Sequence, residues 1–300
     1  KASPLNSLFN KLTIGTAQFG QAYGFNSTST NVNNEQALKI INYCYVNGIR
    51  SIDTAHAYGT SENILGKIGV NKFSVNSKFC IQDIGSQERT EKGILSFVQE
   101  SLRRLKIHKL DSLLLHRSED LLGPSQNLII STMNTLKEKN LISKFGISVY
   151  TPEEIFQCSE VCDLDVIQAP VNFFDRRFLD SAVIEKCKDH QIELHARSIF
   201  LQGLLLLEKA KIPKKFLKFS DELGLWHQFL AENNLTPLQA CLAFVLTQQE
   251  LTKIIFGIDS LEQLMEITSA ASEFIDIKTK FSENIIPNNN LIDPRLWPSS

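Results

Sequence analysis

Short apolar runs alternate with longer segments in which apolar residues recur at helical spacing along most of the chain. Apolar residues three and four positions apart indicate the buried face of a helix, whereas a short continuous apolar run is typical of a buried strand. The helical pattern is clearest over residues 90–105, and the strand pattern is clearest at Leu113-Leu114-Leu115. Strands that alternate with helices predict a parallel sheet covered by helices.

About eight strand–helix units follow from this pattern, and eight is the number that closes a (β/α)8 barrel. We predict strands at residues 13–15, 50–53, 74–78, 111–115, 144–147, 165–168, 192–196 and 253–256, and helices at residues 35–46, 62–68, 90–105, 128–139, 152–158, 179–190, 237–246 and 261–270. The predicted fold class is therefore α/β, a single TIM barrel of parallel strands over residues 1–300. The Pro- and Asn-rich segment 285–300 is expected to be a surface tail, and Lys214, Lys215 and Lys218 are expected to form a solvated face.

The alternative fold is an open, doubly wound sheet. Such a sheet normally carries a glycine-rich fingerprint after its first strand. No Gly-x-Gly-x-x-Gly sequence occurs in the chain, and Gly66-Lys67 is followed by Ile68 rather than by the Ser or Thr of a phosphate-binding loop. The closed barrel is therefore favoured.

The charge distribution and the cysteines exclude several classes of function. The formal net charge is −2 and no basic block or stripe occurs, so no nucleic-acid partner is expected. No apolar run is long enough to span a bilayer, so no membrane partner is expected either. The six cysteines are scattered, which is typical of reduced thiols and predicts a cytoplasmic protein. Cys158 and Cys162 share a predicted helix face without a second pair of metal-binding side chains nearby, so no metal site is predicted.

Polar residues that can transfer protons stand where the second, third and fourth predicted strands end. They are Asp53, Lys78 and His116, together with Tyr58 five residues after the aspartate. Barrel enzymes place their catalytic groups at the carboxyl ends of the strands, so these side chains are expected to project into one mouth. Taken singly, each has a structural explanation: a helix cap, a surface lysine, a satisfied core histidine, a core tyrosine. Their joint position at successive strand ends favours a catalytic site.

The chemistry of these four side chains fits a proton donor for an alkoxide. A free tyrosine is a weak acid, with a reference pKa of about 10. A lysine ammonium within hydrogen-bond reach favours the phenolate and lowers the pKa of a tyrosine. The aspartate is expected to hold the lysine charged and in place, and the histidine, in a neutral form, to donate to the oxygen of a substrate carbonyl. Such a proton donor requires a hydride donor beside it.

The same stretch resembles the signature of the aldo-keto reductase family. The family sequence Gly-x-x-x-x-Asp-Thr-Ala-x-x-Tyr-Gly is matched from Gly48 to Gly59, and the match continues through Gly66. The resemblance covers nearly the whole chain. It implies a barrel oxidoreductase that reduces small carbonyl compounds with NAD(P)H, and it assigns the family's catalytic tetrad to the four residues named above.

The resemblance also implies a binding site for the cofactor, with NADP(H) as the family default and NAD(H) as the alternative. The residues it implies are Ser148 and Gln168 at the nicotinamide carboxamide, Arg197 beside the nicotinamide, Ser198, Gln202, Gly203 and Leu204 in the loop around the pyrophosphate, and Gly257, Asp259, Ser260, Gln263 and Glu266 at the adenosine end.

Three positions depart from the family pattern. Val149 stands where an Asn usually contacts the carboxamide, Arg197 where an aromatic residue often stacks on the nicotinamide, and Ile267 where an Asn commonly follows the last Glu. The planar guanidinium of Arg197 suits two roles: stacking on the cofactor ring, or receiving an anionic substrate such as a uronic acid or a phosphorylated sugar.

The segment around Asp259 bears on the choice of cofactor. No basic residue stands within that motif to hold the 2′-phosphate of NADP(H). A carboxylate there repels a phosphate and is able to accept a hydrogen bond from the ribose 2′-hydroxyl of NAD(H). We therefore expect a weakened preference for NADPH, with NADH accepted. The alternative is that Asp259 caps the last helix and leaves Ser260 to bind phosphate.

Two other functions fit part of the pattern. A cofactor-binding regulatory subunit, like the potassium-channel β subunits of the same family, keeps the tetrad with little turnover. A barrel aldolase or isomerase would use Lys78 as a Schiff-base lysine. The nicotinamide-type residues Ser148 and Gln168 argue against the aldolase. The loop after the seventh strand resembles that of bacterial members associated with sugar or surface-polysaccharide pathways.

Overall fold

The computed structural model describes residues 4–20, 32–273, 281 and 288–298. Eight parallel strands close into one barrel, in which neighbours in chain order pair and the last strand pairs with the first. The strands are β1 (Leu12–Gly15), β2 (Ser51–Asp53), β3 (Ser74–Phe79), β4 (Leu110–Leu115), β5 (Ile142–Ser148), β6 (Val166–Pro170), β7 (Glu193–Arg197) and β8 (Leu251–Gly257). The predicted (β/α)8 barrel is confirmed.

Helices connect the strands and cover the barrel. They are α1 (Pro4–Lys11), α2 (Ala17–Gly20), α3 (Asn34–Val46), α4 (Ser61–Ile68), α5 (Glu91–Leu105), α6 (Glu119–Leu122), α7 (Gln126–Glu138), α8 (Pro152–Ser159), α9 (Ser181–Asp189), α10 (Ser220–Asn233), α11 (Pro237–Thr247), α12 (Leu261–Glu273) and α13 (Asn289–Ile292). Local sequence starts several of them. At α11, Thr236 and Gln239 cap each other's backbone N–H and Pro237 takes the first helical position.

The parallel register brings the carboxyl ends of the strands to one rim. Asp53 pairs with Gly15 on one side and with Asn76 on the other, and Ser148 pairs with Gln168. The core between the strands and the helices is closely filled: Leu114 and its neighbours in β4 are buried. Full burial of each such side chain stabilises the fold by about 1.5–3 kcal/mol. The rim therefore rests on a rigid support.

The observed bounds differ from the predicted ones by at most three residues. Five helices were not predicted: the short helices α2, α6 and α13, and the longer helices α1 and α10. Within α10, Leu223, Trp226 and Leu230 are buried and stand at helical spacing. The lysine-rich segment that precedes α10 obscured this pattern; there Lys214 and Lys218 are exposed, as expected, and Lys215 is half-buried.

Two residues contradict the expectation of a surface tail at residues 285–300. Leu291 and Ile292 are buried. The Trp297 ring packs edge-on against Phe216, with 4.8 Å between the ring centroids, and its Nε1 donates to the carbonyl oxygen of Leu291. A few apolar side chains thus dock a segment that is otherwise polar. Residues 285–287 and 299–300 lie outside the described residues.

Candidate active site

A buried ion pair joins the ends of β2 and β3. Lys78 Nζ donates to Asp53 Oδ2 at 2.5 Å and to the carbonyl oxygen of Thr54 at 3.0 Å. Lys78 is only 1% exposed. Burial lowers the pKa of its ammonium group, and the charge of Asp53 opposes that shift. Because an unpaired buried cation is very unfavourable, Asp53 is what stabilises the charged form of Lys78.

Tyr58 stands above this pair, at the point where the chain leaves β2. Lys78 Nζ lies 5.3 Å from the centroid of the Tyr58 ring. The loop is held by backbone packing: Gly59 has a φ of +57°, and a Cβ atom there would lie 2.6 Å from the carbonyl oxygen of Gly20. A side chain at Gly59 would therefore displace the loop and Tyr58 with it.

His116 follows β4 and meets Tyr58 edge-on. The two ring centroids are 6.0 Å apart and the ring planes are at 82°. The His116 backbone N–H donates to the carbonyl oxygen of Phe79, which fixes the residue at the rim. Burial, together with the positive charge of Lys78, lowers the pKa of His116 to about 4. The imidazole is therefore neutral at neutral pH and keeps one N–H donor.

Gln168 contacts the ion pair from the far side of the mouth. Its Nε2 donates to Asp53 Oδ1 at 2.8 Å, while Lys78 occupies Oδ2. Each carboxylate oxygen of Asp53 thus has its own donor, and the carboxylate is held in one orientation. The nicotinamide role that the resemblance gives Gln168 does not include this contact.

A second buried network supports the same loop. Glu62 accepts hydrogen bonds from Ser77, Ser101 and Arg104, and Arg104 Nη2 lies 3.2 Å from His56 Nδ1. Since a guanidinium only donates, His56 Nδ1 is the acceptor. The network joins α4, α5 and β3 next to Lys78. Glu62 stands within the family match, but nothing in the sequence paired it with Arg104 on α5.

A cavity of about 530 Å³ opens at this rim. The predicted residues that line it are Asp53, Tyr58, Gln168, Arg197, Ser198, Gln202, Gly203, Gly257, Asp259, Gln263 and Glu266. The predicted residues that do not contribute to its lining are Lys78, His116, Ser148, Leu204 and Ser260. Leu204 is buried in the hydrophobic core, which rules out its side chain as a contact for a ligand in this cavity. Gln18 and the start of α11 also line the cavity, and no sequence motif had indicated the start of α11.

The loop after β7 has an unusual backbone. It contains a run of left-handed residues: Ser198 (φ +56°), Leu201 (+49°), Gln202 (+54°) and Gly203 (+91°). A non-glycine residue in this conformation costs roughly 1 kcal/mol or more, so surrounding contacts must hold it. Asn172 Nδ2 donates to the carbonyl oxygen of Ser198, and Trp226 Nε1 donates to that of Leu205. These contacts hold the loop from which Ser198, Gln202 and Gly203 line the cavity.

The far end of the cavity lies at the start of α12. Ser260 Oγ accepts from the backbone N–H of Gln263, whose side-chain oxygen accepts from the backbone N–H of Asp259. Ser260, rather than Asp259, is therefore the residue that caps α12. The carboxyl-bearing residues Asp259 and Glu266 line the cavity, and in the described part of the chain Arg197 is the one basic residue that does so.

The residues present fit a nicotinamide dinucleotide. The cavity runs from Tyr58 to Glu266, and its volume is within the usual range for small-molecule and cofactor sites. Gln18 Oε1 and Arg197 Nε are buried in its wall without a hydrogen-bond partner among the described residues. Buried polar atoms are normally paired, so these two indicate a polar ligand.

The described residues support neither a metal site nor a membrane-spanning helix. They contain no group of three or more His, Cys, Asp or Glu side chains placed to hold a metal ion. They also contain no helix that is long and apolar enough to cross a membrane. Cys158 is buried, and burial raises the pKa of its thiol to about 12.

Comparison with known proteins gives one consistent family. Residues 11–284 match the model of the Aldo/keto reductase family. The uncharacterized oxidoreductase YqkF of Bacillus subtilis is 27% identical over 284 residues, which cover 87% of this chain and 91% of that protein. The NADH-specific methylglyoxal reductase of Escherichia coli is 27% identical over 259 residues, covering 74% and 78%. A solved aldo-keto reductase of Bacillus halodurans, in its holo form, superposes with a TM-score of 0.70 at 20% identity, over 91% and 94% of the two chains.

Proposed function

Since the chain belongs to the aldo-keto reductase family, we propose that it reduces the carbonyl group of a small aldehyde or ketone to an alcohol, with Tyr58 as the proton donor. It is an NAD(P)H-dependent oxidoreductase. The observation that carries the proposal is the arrangement of four side chains at one end of the cavity. The buried Lys78–Asp53 pair lies under the Tyr58 ring, and His116 meets that ring from the side.

Each residue of this site has a part in the proposed proton transfer. When bound, the reduced nicotinamide supplies a hydride to the carbonyl carbon. As the carbon–oxygen double bond opens, the Tyr58 hydroxyl gives its proton to the oxygen, and His116 donates a hydrogen bond to that oxygen. The ammonium of Lys78 stabilises the tyrosinate that is left, which water then reprotonates. Asp53, held by Gln168, keeps Lys78 charged and in place.

The geometry argues against a Schiff-base function for Lys78. A Schiff base requires the substrate carbon to reach Nζ. Lys78 is 1% exposed and does not line the cavity. Its Nζ donates two of its three hydrogens within the protein, to Asp53 and to the carbonyl oxygen of Thr54.

The direct test is turnover of small dicarbonyl compounds. Two relatives carry the names NADH-specific methylglyoxal reductase and glyoxal reductase. We expect methylglyoxal and glyoxal to cause oxidation of the reduced cofactor, with kcat on the order of 1 s⁻¹ or more. The loss of cofactor fluorescence measures this oxidation. Tight cofactor binding without turnover of any aldehyde or ketone in a broad panel would favour a regulatory subunit instead.

We further propose that the enzyme prefers NADH. The carboxylates of Asp259 and Glu266 line the far end of the cavity, no Lys or Arg among the described residues lines that end, and the Ser260 hydroxyl is engaged as a helix cap. A carboxylate near a 2′-phosphate, screened by solvent, costs roughly 1 kcal/mol, or about a fivefold change in the kcat/KM ratio. Asp259→Ser is therefore expected to shift the ratio of kcat/KM for NADH over NADPH towards NADPH by about that factor.

The matched control for this substitution is Glu262→Ser, an exposed acidic residue of α12 that does not line the cavity. It should leave the ratio unchanged. A parent enzyme that strongly prefers NADPH, with a ratio that Asp259→Ser does not move, would contradict the proposed preference.

A further inference from the structure

Arg197 lies in the cavity wall without an acidic partner. Its Nη2 donates to the carbonyl oxygen of Val149 at 2.8 Å and its Nη1 to Ser198 Oγ at 3.3 Å, while its Nε is buried and unpaired among the described residues. Two other partly buried arginines are neutralised: Arg104 pairs with Glu62, and Arg177 pairs with Asp175. No carboxylate of the described residues forms such a pair with Arg197.

The side chains of Asp53, Lys78 and Arg197 at the Tyr58 end of the cavity therefore sum to one positive charge. Asp53 is already matched by Lys78, and His116 is neutral above a pKa of about 4. Burial is the largest cause that lowers the pKa of both Lys78 and His116, and the charge of Arg197 adds to that lowering in each. The guanidinium is thus close enough for its charge to affect the pKa of both residues. A partly buried cation without a counter-ion is unfavourable, and a bound anion would offset that.

Tyr150 fixes the orientation of this guanidinium. Arg197 Cζ lies 4.5 Å from the centroid of the Tyr150 ring, and Arg295 Cζ lies 3.5 Å from the same centroid. Arg295 comes from the docked C-terminal segment, and its charge is matched by Asp293. The contacts with the Tyr150 ring, the Val149 carbonyl oxygen and Ser198 Oγ leave the Nε–H and the remaining Nη hydrogens of Arg197 as donors for a ligand.

We propose that Arg197 forms an anion subsite beside the reacting carbonyl, so that the preferred substrates are carbonyl compounds that also carry a carboxylate or a phosphate group. This inference rests on the proposed carbonyl reduction. A guanidinium binds either anion through paired N–H donors, which a neutral aldehyde does not engage. The cavity offers no second basic residue among the described ones, so the selectivity depends on this side chain.

The first test compares matched neutral and anionic substrates. The pairs are glyceraldehyde with glyceraldehyde 3-phosphate, for phosphate, and methylglyoxal with glyoxylate, for carboxylate. Arg197→Gln is expected to lower kcat/KM for the anionic member by about 10- to 100-fold, as loss of a charge-assisted hydrogen bond does, and for the neutral member by less than about threefold. Arg197→Lys keeps the charge and should keep part of the selectivity. Arg103→Gln, an exposed arginine of α5, is the matched control and should change neither.

The second test measures binding without turnover. Glycolate and glycerol 3-phosphate, each against glycerol, are titrated by calorimetry into the complex with oxidised cofactor. The parent should bind the anions at least about 10-fold more tightly than glycerol, and Arg197→Gln should lose that difference. Tyr150→Leu, which removes the ring under the guanidinium, should lose part of it. It also serves as the second variant if Arg197→Gln does not fold.

The outcomes separate the subsite from the proposed function. Equal losses for neutral and anionic ligands, or a cofactor Kd raised by about 10-fold or more with anion selectivity intact, would assign Arg197 to the cofactor and overturn the subsite. A parent that reduces neutral aldehydes but shows no preference for anions in either test keeps the proposed function and loses the subsite. A parent that turns over nothing, yet binds anions through Arg197, loses the proposed function and keeps the subsite.

Discussion

Tyr58→Phe is expected to lower kcat by a factor on the order of 100 or more and to leave cofactor affinity near that of the parent. The substitution keeps the ring that contacts Lys78 and His116 and removes only the hydroxyl. His116 does not replace the lost acid, because a neutral imidazole that gave up its remaining N–H proton would become an anion beside a forming alkoxide. The measurement is steady-state reduction of methylglyoxal, with cofactor Kd from quenching of protein fluorescence.

The matched control is Tyr45→Phe. Tyr45 lies on α3, is 38% exposed, and its ring contacts Arg50 outside the cavity. Its hydroxyl should be dispensable, so turnover should equal that of the parent. If Tyr58→Phe retained parental turnover while Tyr45→Phe did the same, another group would have to supply the proton, and the proposed role of Tyr58 would be withdrawn.

The positions of Asp53, Lys78 and His116 at the rim were predictable because a barrel places the carboxyl end of every strand on the same face. Once a strand is recognised in the sequence, its last residues can be assigned to that face. Tyr58 comes only five residues after the end of β2, so its position near the rim was also predictable. The backbone conformation of Gly59 explains why the loop turns there. The fold and the near-rim residues were therefore within reach of sequence patterns.

Contacts between distant parts of the chain were not predictable in this way. Gln168 and Asp53 are 115 positions apart, and Glu62 and Arg104 are 42 apart. Which donor meets which carboxylate depends on barrel closure and on helix packing, neither of which leaves a local pattern. The docking of the segment that carries Arg295 was not predicted for a related reason. The segment is mostly polar, and this composition obscured the few apolar residues that anchor it.

Lys78→Met is expected to lower kcat by about 100-fold or more and the free energy of unfolding by about 3–5 kcal/mol. Met keeps the length of the side chain and removes the charge. The loss of turnover follows because no ammonium is left to stabilise the tyrosinate of Tyr58. The loss of stability follows because Asp53, which is buried, then retains only the amide of Gln168 as its donor. Turnover and urea unfolding measure the two effects.

The double variant Asp53→Asn/Lys78→Met separates the two effects. Replacing both members of a buried ion pair leaves no unpaired charge, and the Asn side-chain oxygen still accepts from Gln168, so most of the lost stability should return. Turnover should not return, because the ammonium is still missing. Lys39→Met, which breaks an exposed pair with Glu35 on α3, should leave both quantities near those of the parent. Recovery of turnover together with stability in the double variant would mean that Lys78 supports the site only by pairing with Asp53, and that the tyrosinate is stabilised by another group.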